Sequence, residues 1–111
     1  MLLMDLPRTV LVQDVQSLFD HKASFCLIDV RLDWEFELCH IGGSLHLPLD
    51  QLDKGLTQIP TNTPLFTLCH HGIRSLTAAV FLMNAGFKDV SNIKGGIDAW
   101  AKEIDPTLKT Y

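Results

Sequence analysis

Apolar positions along the chain follow two rhythms. Residues 25–30 (FCLIDV) and 65–68 (LFTL) are short, nearly continuous apolar runs, the pattern of strands buried on both faces of a parallel sheet. Residues 75–85 instead repeat Leu76, Ala79, Val80 and Met83 at i, i+3, i+4 and i+7, which predicts a helix with Gly86 placed for a left-handed C-terminal cap. Val15, Leu18 and Phe19 carry the same spacing over residues 13–19, after a short strand or helix lead-in at Val10-Leu11-Val12. Residues 32–38 read as a short helix, Ser44-Leu45-His46 as a brief strand beyond Gly42-Gly43, and residues 49–59 as one or two helical turns closed by Pro60 and Pro64. A last strand over 89–92 and a helix over 97–102, introduced by Gly95-Gly96, complete the pattern. Strands alternating with helices at this density predict an α/β domain whose parallel sheet is covered on both faces.

Length and composition narrow this further. A chain of 111 residues, 47% hydrophobic and 20% charged, suits one compact domain over residues 1–111 and excludes disorder. A domain of that size buries roughly two-thirds of its unfolded surface, enough to fold without disulfides or a structural metal. Nine basic against thirteen acidic residues, with no basic run, leave no footprint for nucleic acid or an acidic membrane surface. No apolar stretch approaches the ~20 residues of a membrane span, and Met1-Leu2-Leu3-Met4-Asp5 meets an acid too early for a signal peptide, so a cytoplasmic protein is expected, monomeric or weakly dimeric. Cys26, Cys39 and Cys69 match no metal spacing and are expected as thiols.

The candidate chemistry lies between the second apolar run and the strongest helix, in Cys69-His70-His71-Gly72-Ile73-Arg74-Ser75. Ligands in open α/β sheets bind beyond the carboxyl ends of strands, where Cys69 stands. The loop then runs into a helix N-terminus, whose free amides and dipole favour an anion and set up a cysteine there as a nucleophile. Gly72 supplies the positive φ that a loop wrapping its amides inward requires. Cys69 also has the plainer reading of a small buried residue at a strand end. For His70 and His71 the plainer reading, set against a catalytic part, is that of loop side chains facing solvent. Arg74 either anchors the loop to a carboxylate or meets an anionic substrate, and Ser75 is a helix N-cap candidate whose hydroxyl is less expected to face the site.

Two sets of residues resemble the rhodanese domain proteins in their single-domain form. Leu27-Ile28-Asp29-Val30-Arg31, Glu35 and His40-Ile41-Gly42-Gly43-Ser44 are similar to the first signature of that family. The Cys69–Ser75 loop, followed by Ala78-Ala79, Gly86-Phe87, Val90, Gly95-Gly96-Ile97 and Ala99-Trp100, is similar to its active-site half. The resemblance covers roughly residues 10–102, and the closing Ile104-Asp105-Pro106 to Tyr111 looks like the end of rhodanese domains fused to adenylating enzymes. Cys39 and Gly42 depart from the family's usual Gly and Pro, which leaves the turn near His40 open and makes Cys39 a second thiol if it is exposed.

The resemblance implies a three-layer fold with about five short parallel strands. It also implies sulfurtransfer from thiosulfate or a persulfide donor, through a persulfide on Cys69, to a thiol, protein or cyanide acceptor, with no metal or organic cofactor. The amides of residues 70–75 would cradle the sulfur, with Arg74, Arg31 and the helix N-terminus as sources of positive potential. Asp29 and Glu35 look like structural acids, Asp29 bonding amides near the loop, and Trp34 and Trp100 are expected to pack. Other readings are a protein-binding or sulfur-relay module on the same scaffold, and a cysteine phosphatase or arsenate reductase. Against the phosphatase, only four residues separate Cys69 from Arg74, where phosphatase loops have five.

Overall fold

A computed structural model describes residues 6–111; the reading of Met1–Asp5 lies outside the described residues. The elements run β1 (Arg8–Val10), α1 (Val12–Asp20), β2 (Cys26–Asp29), α2 (Asp33–Leu38), β3 (Leu45–His46), a 3-10 helix (Leu49–Gln58), β4 (Leu65–Leu68), α3 (Ile73–Asn84), β5 (Val90–Ile93) and α4 (Gly96–Glu103). The five strands form one parallel sheet in the order β1-β5-β4-β2-β3. β4 is therefore central, which accounts for its unbroken burial and its apolar sequence.

Alternation along the strands sends side chains to two cores. Ile28 and Leu65 pack with Leu52, Ala78, Ala79 and Leu82 on the face covered by the 3-10 helix and α3. Leu27, Phe66 and Leu68 pack with Val12, Val15, Ile97 and Trp100 on the face covered by α1 and α4. Helices thus cover both faces, as the pattern predicts. Among the described residues no helix is long and apolar enough to cross a membrane.

Three local expectations differ. Residues 49–58 wind as one continuous ten-residue 3-10 helix, longer than the one or two helical turns expected. α3 begins at Ile73, two residues earlier than the apolar rhythm shows, because Gly72 at φ +110° takes the N-cap position and the helix starts at once. Ser75 is consequently inside the first turn and not a cap. Trp34, expected to pack, keeps 57% of its surface exposed, whereas Trp100 is buried as expected.

Candidate active site

Cys69 directly follows β4 at the carboxyl end of the sheet, and it exposes only 1% of its surface. Its Sγ accepts the Gly72 amide at 3.0 Å and lies 3.2 Å from Ser75 Oγ. Gly72 brings its N–H round to the sulfur because its φ of +110° turns the chain back on itself, a conformation that costs a side-chain-bearing residue about 1–2 kcal/mol. Ser75 is fully buried, and placement inside the first turn of α3 is what aims its hydroxyl at the sulfur.

Neighbouring elements hold the loop from below. Asn92 on β5 donates its Nδ2–H to the Gly72 carbonyl at 3.1 Å, and Thr67 on β4 donates its hydroxyl to the Ser75 carbonyl at 2.8 Å. The first turn of α4 takes the other carbonyls: Ile97 N–H bonds Cys69 O at 2.9 Å and Asp98 N–H bonds His70 O at 3.1 Å. Gly96 makes this approach possible, since a Cβ there would overlap both the Cys69 and the His70 carbonyl oxygens. Sequence patterning marks Gly95-Gly96 as a break before a helix but carries no sign that the break is seated against the cysteine loop.

Arg74 leaves the loop sideways. Its Nη1 and Nη2 donate to Glu35 Oε1 at 2.6 Å and Oε2 at 2.9 Å, so of the two roles open to it the fold shows the carboxylate anchor. Glu35 is buried and also accepts the Leu32 amide at 3.1 Å, capping α2. The hydrogen bonds from Arg74 outweigh burial and hold the Glu35 carboxyl down at about 2.

Arg31 differs from the expectation that it lends potential to the site. It is completely buried, with Nε and Nη2 forked onto the Asp29 carboxylate and the remaining donors on the carbonyls of Glu35 and Cys39 and on the Tyr111 hydroxyl. Burial alone would lower its pKa, but the Asp29 hydrogen bonds and charge raise it. Its charge is thus neutralised inside the fold. Asp29, expected to bond amides near the cysteine loop, takes the Arg31 amide at 3.1 Å and that guanidinium instead. Cys39 is buried beneath the same guanidinium, so the exposure required of a second thiol is missing. Cys26 is half-buried at the start of β2, and burial raises its thiol pKa.

His70 is sandwiched between His71 and Tyr111, with ring centroids at 3.9 and 3.8 Å. Burial, followed by the neighbouring His71, lowers its pKa, and its Nε2 is enclosed with no hydrogen-bond partner among the described residues. His71 is more open and stands 3.9 Å from the Asp98 carboxylate. Ile73, at the head of α3, is 79% exposed beside the loop. An open groove of about 430 Å³ is lined by Val30, Leu32, Leu49, Asp50 and Arg74. Among the described residues, no three His, Cys, Asp or Glu side chains gather as metal ligands.

The profile of the rhodanese-like domain matches residues 11–103. The chain belongs to the rhodanese-like domain family. It is 33% identical over 89 residues to the thiosulfate sulfurtransferase GlpE of Vibrio cholerae, covering 80% of this chain and 83% of that protein. It is 31% identical over 105 residues to the probable adenylyltransferase/sulfurtransferase MoeZ of Mycobacterium tuberculosis, covering 93% of this chain but only 27% of that longer relative. The crystal structure of reduced Bacillus anthracis CoADR-RHD superposes with a TM-score of 0.82 at 28% identity, over 95% of this chain and 18% of that one. These relatives support sulfurtransfer as the activity class of the rhodanese-like domain.

Proposed function

We propose that this rhodanese-like domain, read as one unit over residues 1–111, is a sulfurtransferase whose nucleophile is Cys69. The Cys69 thiolate attacks the outer sulfur of thiosulfate or of a persulfide donor. With thiosulfate, the S–S bond breaks, sulfite leaves with the electron pair, and Cys69 carries a persulfide. A thiolate or cyanide acceptor then attacks the terminal sulfur, and the electron pair of the breaking bond returns to Cys69. Such a two-stage exchange gives ping-pong kinetics.

The observation that carries this reading is the sulfur's setting: Sγ sits between the Gly72 amide at 3.0 Å and the Ser75 hydroxyl at 3.2 Å, at the N-terminus of α3. Fixed dipoles aimed at a sulfur stabilise negative charge on it without reorganisation. Since Arg74 is committed to Glu35, the helix N-terminus supplies the positive potential for an anionic donor.

That commitment also weighs against phosphatase or arsenate reductase chemistry, which needs a guanidinium on the oxyanion. The likeness to the adenylyltransferase/sulfurtransferase favours a second, compatible reading in which the acceptor is a protein and the domain serves as a sulfur relay. Three free cysteines suit a reducing compartment such as the cytoplasm.

Mass spectrometry of the purified protein after thiosulfate is the test. A gain of one sulfur on Cys69, removed by reductant, is expected. No gain, or a gain on Cys26 or Cys39, overturns the proposal.

A further inference from the structure

The segment after α4 turns back across the molecule. Ile104, Leu108 and Tyr111 pack against the core formed by Val12, Ile97 and Trp100, and this fixes where Tyr111 arrives. Its ring lies flat on His70, the first residue after Cys69, at 3.8 Å between centroids and 5° between planes. Its hydroxyl donates to Glu35 Oε2 at 2.7 Å and accepts from Arg31 Nη1 at 3.0 Å. Glu35 in turn grips Arg74, which lies at the far end of the same loop.

One side chain therefore bears on both ends of the Cys69–Ser75 segment. Its ring presses the beginning, and its hydroxyl reaches the end through the Glu35 carboxylate. Trp34 closes the outer side, edge-on to Tyr111 at 5.6 Å. The sheet, Asn92 and α4 hold the loop from within, and on the outside the Tyr111 ring covers His70 on the face opposite His71, itself part of the loop.

We propose that Tyr111 is a positioning residue for sulfur transfer, clamping the loop so that the Gly72 amide and Ser75 hydroxyl stay on the Cys69 sulfur. This rests on the reading of Cys69 as the nucleophile. Tyr111 does not touch that sulfur; it acts through His70, Glu35 and Arg74.

The ring and the hydroxyl are separable. Tyr111→Ala removes both, whereas Tyr111→Phe keeps the stack on His70 and loses only the bonds to Glu35 and Arg31. Two readouts are compared at a temperature where circular dichroism shows every variant folded: the single-turnover rate of sulfur loading from thiosulfate, and hydrogen exchange of the loop amides. Tyr111→Ala is expected to load sulfur at least about tenfold more slowly and to lose protection over residues 70–75 while α1 and β1 keep theirs. Tyr111→Phe is expected to recover most of the rate, to within roughly threefold of the parent.

Loading by Tyr111→Ala within about twofold of the parent, or protection lost evenly through the domain, overturns the proposal by reducing Tyr111 to general packing. If the parent itself takes up no sulfur, the sulfurtransfer reading fails. Loop exchange then decides the clamp alone: selective exposure of residues 70–75 in Tyr111→Ala upholds it and unchanged exchange overturns it.

Discussion

Glu35 and Arg74, 39 residues apart in sequence, form a two-pronged ion pair that ties the start of α3 to α2. The carboxylate is nearly enclosed, with 4% of its side chain exposed, while the guanidinium keeps 35%. Removing Arg74 strands a buried charge, which costs more than the pair itself contributes. With a discount for solvent around the guanidinium, Arg74→Ala is expected to lower stability by about 2 kcal/mol. Glu35→Gln in the same chain should recover part of that loss, because no charge is then left unpaired. Urea unfolding of the two single variants and the double variant measures the coupling; strictly additive losses would mean that the pair contributes no coupling.

The same pair sets an acid limb. Folding lowers the Glu35 carboxyl from its ordinary 4.5 to about 2, chiefly through the Arg74 hydrogen bonds. The folded chain thus keeps this carboxylate ionised where the unfolded chain binds a proton. Its contribution is complete above about pH 4.5 and is lost as pH falls through about 2, a change of roughly 2 kcal/mol after the same discount. Glu35→Gln should flatten that part of the stability profile. Denaturation midpoints followed from neutral to acid pH would show it, and a variant profile parallel to the parent's would assign the acid limb to other groups.

The three cysteines have different surroundings and should respond differently. Cys69→Ser is expected to abolish thiosulfate-to-cyanide sulfurtransfer, since a serine hydroxyl cannot form the persulfide. Cys39→Ser and Cys26→Ser should keep turnover, the first because its side chain is shut beneath Arg31, the second because it lies at the far end of β2. Cys39→Ser is expected to lower stability by about 1 kcal/mol if its hydroxyl finds no partner in the core. Steady-state rates and melting curves of the three variants test this. An acceptor step that stops in Cys39→Ser while Cys69 still loads sulfur would make Cys39 a working thiol after all.

Gly96 offers a backbone test of the site. At φ +60°, with the Cys69 and His70 carbonyl oxygens where a Cβ would go, Gly96→Ala is strained in conformation and in contact. A loss of at least about 2 kcal/mol is expected, accompanied by slower sulfur loading because the bonds from Ile97 and Asp98 to those carbonyls must lengthen. Gly42→Ala is the control, for apart from its own chain neighbours no heavy atom of the described residues lies within 4 Å of its Cβ position. Equal melting temperatures for the two variants would show that α4 can withdraw from the loop without cost.

Much of the fold is legible in the sequence because local repetition encodes it. The apolar runs over 25–30 and 65–68 hold strands β2 and β4, and the rhythm from Leu76 to Met83 is a helix, because strand and helix bury faces of different period. The cysteine loop is legible for the same reason: a strand end, a glycine and a helix start fall in immediate succession. Where the helix starts was not, since residue preference favours Ser75 as a cap while the turn at Gly72 begins α3 earlier and carries the Ser75 hydroxyl to the sulfur.

Charge partners depend on another scale. The pattern at Arg31 and Arg74 gives two cations near a candidate anion site, but their partners are set by which chain segments the sheet brings together. Crossing from β2 to β4 places Glu35 beside Arg74, and the return of the chain after α4 lays Tyr111 over His70. The sequence alone determined the α/β layers, the strand-end cysteine and its glycine. Tertiary structure alone decided that Arg31 is buried by Asp29, that Arg74 serves the loop rather than an open anion site, and that Tyr111 joins the network. The physical reason is range: periodicity and backbone preference act between residues a few positions apart, whereas enclosing a charge or stacking a ring requires surfaces that meet only when the sheet has formed.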